Sequence, residues 1–220
     1  LITTADILGA ASVRDAVECL QGARYVDGRR TAGAAAASIK DNEQARGDDP
    51  AVIALARRIR LAIEGHPAVR VSVRPVRWSS FLFSRYQPGQ HYGAHIDNAV
   101  VHDAWGSPLR TDISFTLFLS DPQTYEGGDL RIHCDGEARD FRLPAGSAVF
   151  YPTGQVHGVT PVTRGVRLAC IGWIQSEVRR ADQRALLGDL ETVRNGEQSA
   201  EARLLLDKSI GNLLRMWSEF

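Results

Sequence analysis

Between residues 69 and 175 the chain breaks into short runs rich in β-branched and aromatic residues, each closed by Gly, Pro or Asp: 69–73, 81–86, 113–119, 130–133, 138–143, 148–151 and 167–174. Roughly eight strands in about a hundred residues leave a β-sandwich, a jelly roll or a barrel, because strands this short must bury a face against another sheet. On either side of this block the pattern turns helical. Residues 12–65 read as helix: Ser12 with Asp15 three places on resembles a capping box, and Val13, Ala16, Val17 and Leu20 recur at helix spacing. Asp49 as N-cap and Pro50 at the first position open a second helix carrying Val52, Ile53, Ala56, Ile59 and Ile63, with Gly65 and Pro67 as stops. The alanine run at 33–38 fits either a third helix or a mobile segment. After Gln175, Ala181, Leu186, Leu187 and Leu190, then Leu204, Leu205, Ile210, Leu213, Leu214 and Trp217, mark helices expected to cover one sheet or to form a homodimer contact. No repeat or low-complexity linker intervenes. The reading is one domain over 1–220, with a helical part at 1–68, a β core at 69–175 and C-terminal helices at 176–220.

Composition narrows the function. The 26 Lys and Arg balance the 26 Asp and Glu, so no net field recruits nucleic acid or an anionic membrane, and neither is expected as a partner. No apolar stretch approaches the roughly 20 residues that span a bilayer. The first eleven residues contain Thr3, Thr4 and Asp6 without a basic leader, and Cys19, Cys134 and Cys170 form an odd set with no C-x-x-C. A reducing, cytoplasmic setting with small buried cysteines follows.

The chemistry concentrates around His95 and Asp97. On a strand, residues i and i+2 share a face with Cα atoms roughly 6–7 Å apart, so an imidazole and a carboxylate can converge on one ion. A third ligand must come from another strand, and His157 follows the apolar run at 148–151. Two histidines and one carboxylate with open positions opposite suit non-haem Fe(II) and oxygen chemistry. Arg167 starts the last apolar strand, where burial of a guanidinium calls for an anion and a carboxylate fits its fork. Arg164 competes for that role from an exposed turn. His91, His102 and His133 complete no better metal set and read as surface or supporting polar residues. Residues 98–111, with Asn98, His102 and Trp105, follow the His-Asp pair and are expected to overhang the open coordination face and contact the substrate. Glu126-Gly-Gly-Asp129 lacks the basic residue or helix start of a phosphate cradle and reads as a hairpin turn.

Several long motifs in one order then resemble a known family. They are FSRYQPGQHYGAHIDNAV (83–100), LRTDISFTLFLSDP (109–122), YEGGDL (125–130), HGVTPVTRGVR (157–167) and WIQS (173–176), with weaker echoes at 26–28, 31–33 and 212–217. The stretch is similar to the Fe(II)- and 2-oxoglutarate-dependent dioxygenases of the prolyl/lysyl hydroxylase type, specifically the bacterial PKHD-type hydroxylases. The resemblance implies a double-stranded β-helix (a jelly-roll, cupin-like core) flanked by N- and C-terminal helices. It implies Fe(II) on His95, Asp97 and His157, and 2-oxoglutarate chelating the iron with its far carboxylate on Arg167 and a hydroxyl from Tyr86. It also implies O2 as oxidant and L-ascorbate as the reductant that keeps iron ferrous. The chain departs from the family pattern at Val166 and at Cys170-Ile171, which flank Arg167.

The function so implied is hydroxylation of an unactivated C–H in an amino-acid-derived, siderophore-like or natural-product, or peptidyl substrate, with 2-oxoglutarate converted to succinate and CO2. A Zn- or Mn-dependent cupin-like hydrolase or isomerase would use the same three ligands without needing Arg167. A non-catalytic sensor of iron or 2-oxoglutarate would bind without forming succinate.

Overall fold

Two antiparallel sheets face one another across a cavity, and the computed structural model describes them for residues 2–219 except Ala104 and Asp135. Among the described residues the larger sheet runs Thr3–Asp6, Ser147–Pro152, Ile113–Phe118, Arg167–Ser176, Leu82–Tyr86, Glu43–Ala45, Tyr25–Asp27, with Pro75–Trp78 paired to the far half of Arg167–Ser176. The smaller sheet runs Glu137–Phe141, Leu130–Cys134, His157–Val159, His91–His95, Lys40–Asp41. Two short ribbons complete the β structure, Val100–His102 with Pro108–Arg110, and Glu126–Gly127 with Val162–Arg164. This is the mainly β, helix-flanked jelly roll expected for residues 69–175.

Period-two alternation on three adjacent strands of the larger sheet sets what each face does. Ile113, Phe115 and Leu117, Phe81 and Phe83, and Cys170 and Ile174 point outward into one apolar core. The helices Ala10–Gln21, Pro50–Gly65 and Pro67–Ser72 cover that face with Ala16, Leu20, Val52, Leu55, Ile59, Ile63 and Val69. The intervening residues Ser114, Thr116, Tyr86, Arg167, Ile171 and Trp173 line the cavity. Strand Ile113–Phe118 is buried along its whole length, so it reads as a continuous apolar and hydroxyl run. A second cluster, Phe118, Leu130, Ile132, Val149 and Tyr151, packs between the sheets.

Helix Pro50–Gly65 starts as expected: the Asp49 carboxylate accepts a hydrogen bond from the Ala51 N–H at 2.9 Å, and Pro50 stands in the first turn. Other expectations are corrected. Residues 69–73 are not a strand, because Pro67 opens the helix Pro67–Ser72 and Val69 and Val73, four apart, are buried together; β-branched content alone misread them. The first helix begins at Ala10 after Gly9, which makes no side-chain cap, so Ser12 and Asp15 lie inside it and form no capping box. Residues 12–65 are not helical throughout. Tyr25–Asp27, Lys40–Asp41 and Glu43–Ala45 add edge strands to both sheets, Thr3–Asp6 adds another, and the alanine run is the short helix Ala34–Ala37.

Glu126–Gly127 pairs as strand rather than serving only as a turn. Gly127 and Gly128 both hold positive φ (67° and 65°), and a Cβ on Gly127 would meet the Pro161 carbonyl oxygen at 2.0 Å. Of the C-terminal helices, Ala181–Gly196 packs on both Ala200–Trp217 and Pro67–Ser72 instead of covering a sheet. Val178, Leu187 and Ile210 form their own small core, while Leu186, Leu204 and Leu205 are exposed. Arg74, the one non-glycine with positive φ among the described residues, anchors this unit through Glu191 at 2.6 Å. Cys170 is buried, Cys19 and Cys134 are half-buried, and all three are free thiols. Among the described residues no helix is long and apolar enough to cross a membrane.

Candidate active site

His95 ends one strand of the smaller sheet, and His157 begins its neighbour directly opposite in register, so pairing alone brings the two imidazoles side by side. Asp97 lies two residues beyond His95. One donor atom from each of the three falls within 4.8 Å of the others, a spacing at which one ion can touch all three. Each Nδ1 lies against the backbone carbonyl two residues earlier, His95 on Gly93 at 2.8 Å and His157 on Gln155 at 3.0 Å. A carbonyl oxygen only accepts, so the proton sits on Nδ1 and the Nε2 lone pair is free. Both Nε2 atoms face Asp97, at 3.6 and 3.5 Å.

Asp97 is itself held. Its Oδ2 accepts hydrogen bonds from Ser114 Oγ and Trp173 Nε1, each at 2.8 Å. Burial alone would raise the carboxyl's pKa, but the neighbouring imidazoles of His95 and His157 and the two donors from Trp173 and Ser114 outweigh it and keep the group below its ordinary range. Burial lowers the His157 imidazole against the opposing pull of Asp97, with His95 adding to the lowering, which favours the neutral form a metal requires. The donor set therefore fits a non-haem iron centre with open positions.

Arg167 lies at the far end of the cavity and is 1% exposed. Its guanidinium stands over the rings of Tyr86 and Phe118 at 5.2 and 5.3 Å, and its Nε and Nη2 have no hydrogen-bond partner. The buried Tyr125 hydroxyl is unpartnered too, and Gly128 lets the Tyr125 ring and the Arg167 stem approach, since a Cβ there would meet both within 3.4 Å. Buried charged donors without an acceptor are costly, and their arrangement suits a carboxylate arriving from the cavity. Burial and the nearby Arg167 act in opposite senses on the Tyr86 phenol, and burial wins, so Tyr86 stays a neutral donor. Arg164 is exposed and paired with Glu126 at 2.8 Å.

The cavity measures about 270 Å³. Its mouth is bordered by Thr31, Ala32 and Gly33 on one side and by Asn98, Val101 and His102 on the other. The Asn98 amide approaches Gly33 closely, 3.3 Å from where a Cβ would stand. Trp105 sits at the tip of the hairpin, 83% exposed and outside the cavity lining. Asp103 fixes that tip: it accepts from the Trp105 and Ser107 N–H groups and pairs with Arg77 at 2.8 Å. His91 and His133 stand apart from the metal cluster. Of the positions that depart from the family pattern, Cys170 faces the outer core, Val166 is exposed and Ile171 lines the cavity.

The sequence profile of the 2OG-Fe(II) oxygenase superfamily matches residues 81–175. A PKHD-type hydroxylase of Synechococcus elongatus is 42% identical over 225 residues that span the whole of both chains. The chain belongs to the PKHD-type hydroxylases of the 2OG-Fe(II) oxygenase superfamily. As such it is an enzyme, a 2-oxoglutarate-dependent non-haem iron dioxygenase, and its core is the double-stranded β-helix of that superfamily. A Pseudomonas putida prolyl-4-hydroxylase shares 26% identity at a TM-score of 0.52, over 80% of this chain and 92% of that one. A Trichoplax adhaerens prolyl hydroxylase, solved with a fragment of hypoxia inducible factor, shares the fold at a TM-score of 0.57 and 16% identity, over 84% and 86% of the two chains.

Sequence reasoning missed several residues of this PKHD-type site. Trp173 was within reach of it, because Arg167, Ala169, Ile171 and Trp173 share one face of a strand by simple alternation. Ser114, a hydroxyl inside an apolar run, carried a similar signal. Tyr92, whose ring stacks on His95 at 3.7 Å, and Lys40, buried in the cavity wall, gave none, because their roles depend on pairing between distant segments.

Proposed function

We propose that this enzyme hydroxylates an unactivated C–H of an amino-acid-derived, siderophore-like or natural-product, or peptidyl substrate: R–H, O2 and 2-oxoglutarate give R–OH, succinate and CO2. His95, Asp97 and His157 would hold the Fe(II), and bound iron supplies the oxygen activation that no side chain can provide. The chain contributes position and electrostatics. The Nδ1–carbonyl bonds lock both imidazoles in the ligating tautomer, and Ser114 and Trp173 orient Asp97 so that Oδ1 stays free. Arg167 takes the far carboxylate of 2-oxoglutarate, with the Tyr86 and Tyr125 hydroxyls as further donors. Tyr86, Phe118 and Ile171 exclude water around that pair, which strengthens it. Asn98 and His102 meet the substrate at the mouth, and Trp105 meets whatever part projects beyond it.

The buried Arg167 guanidinium, with Nε and Nη2 unpartnered, carries this reading, because a hydrolase or isomerase using the same ligands needs no dicarboxylate co-substrate to set against it. The test is Fe(II)-dependent conversion of 2-oxoglutarate to succinate under O2. Slow formation by the wild type, lost in Arg167→Ala and in His157→Ala, is expected. Metal binding without 2-oxoglutarate affinity would return the assignment to hydrolysis or isomerisation. Ascorbate is the proposed reductant, a reducing cytoplasm the proposed setting, and exposed Leu204, Leu205 and Met216 support self-association through the C-terminal helices.

A further inference from the structure

A second buried cation borders the same cavity, and nothing in the reaction above uses it. The chain has 24 arginines but only two lysines, Lys40 and Lys208. Lys208 is exposed on the last helix, whereas Lys40 is 3% exposed and lines the cavity. Its register pairing with Tyr92 places it on the edge strand next to His91–His95. The ammonium donates to Thr31 Oγ1 at 3.1 Å, and that hydroxyl lies 2.7 Å from the Gln44 side-chain oxygen. It also stands 4.9 Å from the centre of the Tyr92 ring. Among the described residues no carboxylate pairs with it. A buried ammonium with one neutral acceptor retains donors that an anion from the cavity would satisfy.

Position decides which anion. Arg167 is on the larger sheet, enclosed by Tyr86 and Phe118, and already answers to the co-substrate. Lys40 is on the smaller sheet and is held by Thr31, a residue of the mouth. The Tyr92 ring lies against both the ammonium and the His95 ring, so Lys40 stands about one aromatic ring away from the metal cluster.

We propose that Lys40 is the receptor for a carboxylate on the molecule that is hydroxylated, so that the substrate is a small carboxylate-bearing compound of the free amino-acid class, or a chain terminus, rather than an internal peptide residue. The proposal rests on the oxygenase reading above. Thr31 aims the ammonium, Tyr92 provides a flat wall between anchor and metal, and the hydroxylated carbon lies a few bonds from the anchored carboxylate.

The two-lysine composition makes the test direct. The full chain, labelled with [15N]lysine and loaded with Zn(II) and saturating 2-oxoglutarate, should show two ammonium signals. Propionate is expected to shift the Lys40 signal saturably and leave Lys208 in place, while propionamide moves neither. By calorimetry, Lys40→Met should weaken propionate more than about tenfold, the loss of one charged hydrogen bond, with 2-oxoglutarate affinity changed less than about twofold. An unmoved Lys40 signal overturns the proposal. So does a Lys40 signal that 2-oxoglutarate itself shifts and that propionate shifts only in its absence, since the lysine would then belong to the co-substrate. Failure of 2-oxoglutarate to bind at all would contradict the oxygenase reading instead, and the propionate titration without it would still report on Lys40.

Discussion

The two ends of the cavity are built by different means. The floor takes Arg167 and Tyr86 from paired strands of the larger sheet, each side chain aimed by alternation, with the Phe118 ring against the guanidinium. The mouth is assembled from a four-residue helix, a two-residue strand and a hairpin whose tip is held by the single side chain of Asp103. A rigid floor suits a ligand shared by a whole family, and a mouth of short, replaceable pieces suits one particular substrate. Damage to the floor should abolish turnover of anything, whereas damage to the mouth should change what is turned over.

The largest effect is expected at the floor. Arg167→Ala removes the proposed partner of the co-substrate's far carboxylate, so 2-oxoglutarate affinity should fall by about 3–5 kcal/mol, more than a hundredfold, by calorimetry on the Zn(II) form. A loss under tenfold would mean that the floor does not hold the co-substrate. At the mouth, Lys40→Met should stabilise the ligand-free protein. Burial, offset only in part by Asp97 and Asp27, lowers the Lys40 pKa to about 8. Below that pH the native state carries the whole cost of the buried charge, roughly 3 kcal/mol for a shift of this size. The gain in denaturant midpoint should therefore be full at pH 7 and shrink as pH rises through 8 towards the unfolded value. A structural lysine would show destabilisation instead.

Trp173→Phe keeps an aromatic ring but removes one donor to Asp97. Metal affinity, by competition with a chelator, should fall by about tenfold, as is usual when a group that orients a ligand is lost. Asp103→Ala should act least, and only locally. Amide exchange at Trp105 and Ser107 should quicken by about fivefold, the loss of roughly 1 kcal/mol of hydrogen bonding at the hairpin tip, with no change at Arg167. An equal change at both ends would erase the distinction between floor and mouth.

The same contrast governs what the sequence made legible. Ile113–Phe118 and Arg167–Ser176 are long enough to stand out as apolar runs, and Arg167 was legible as the cation that opens the second. His95, Asp97 and His157 were reachable through the i, i+2 spacing and one distant histidine. Lys40–Asp41 and Glu43–Ala45 are too short to carry any period, and only pairing with Tyr92 and Arg85 makes them strands. The valines of Pro67–Ser72 favour strand by propensity, yet Pro67 and the burial of one helical face prevail. Lys40 acquires its place from a partner 52 residues away in the chain, which no local signal encodes.

In the proposed reaction 2-oxoglutarate bridges the metal cluster and Arg167. The direct measurement is the visible spectrum of the anaerobic protein with Fe(II), before and after 2-oxoglutarate is added. A weak metal-to-ligand charge-transfer band that appears on addition in the wild type, needs far more 2-oxoglutarate in Arg167→Ala, and decays with succinate formation when O2 enters is the expected result. Bound Fe(II) with no band at any 2-oxoglutarate concentration would contradict it.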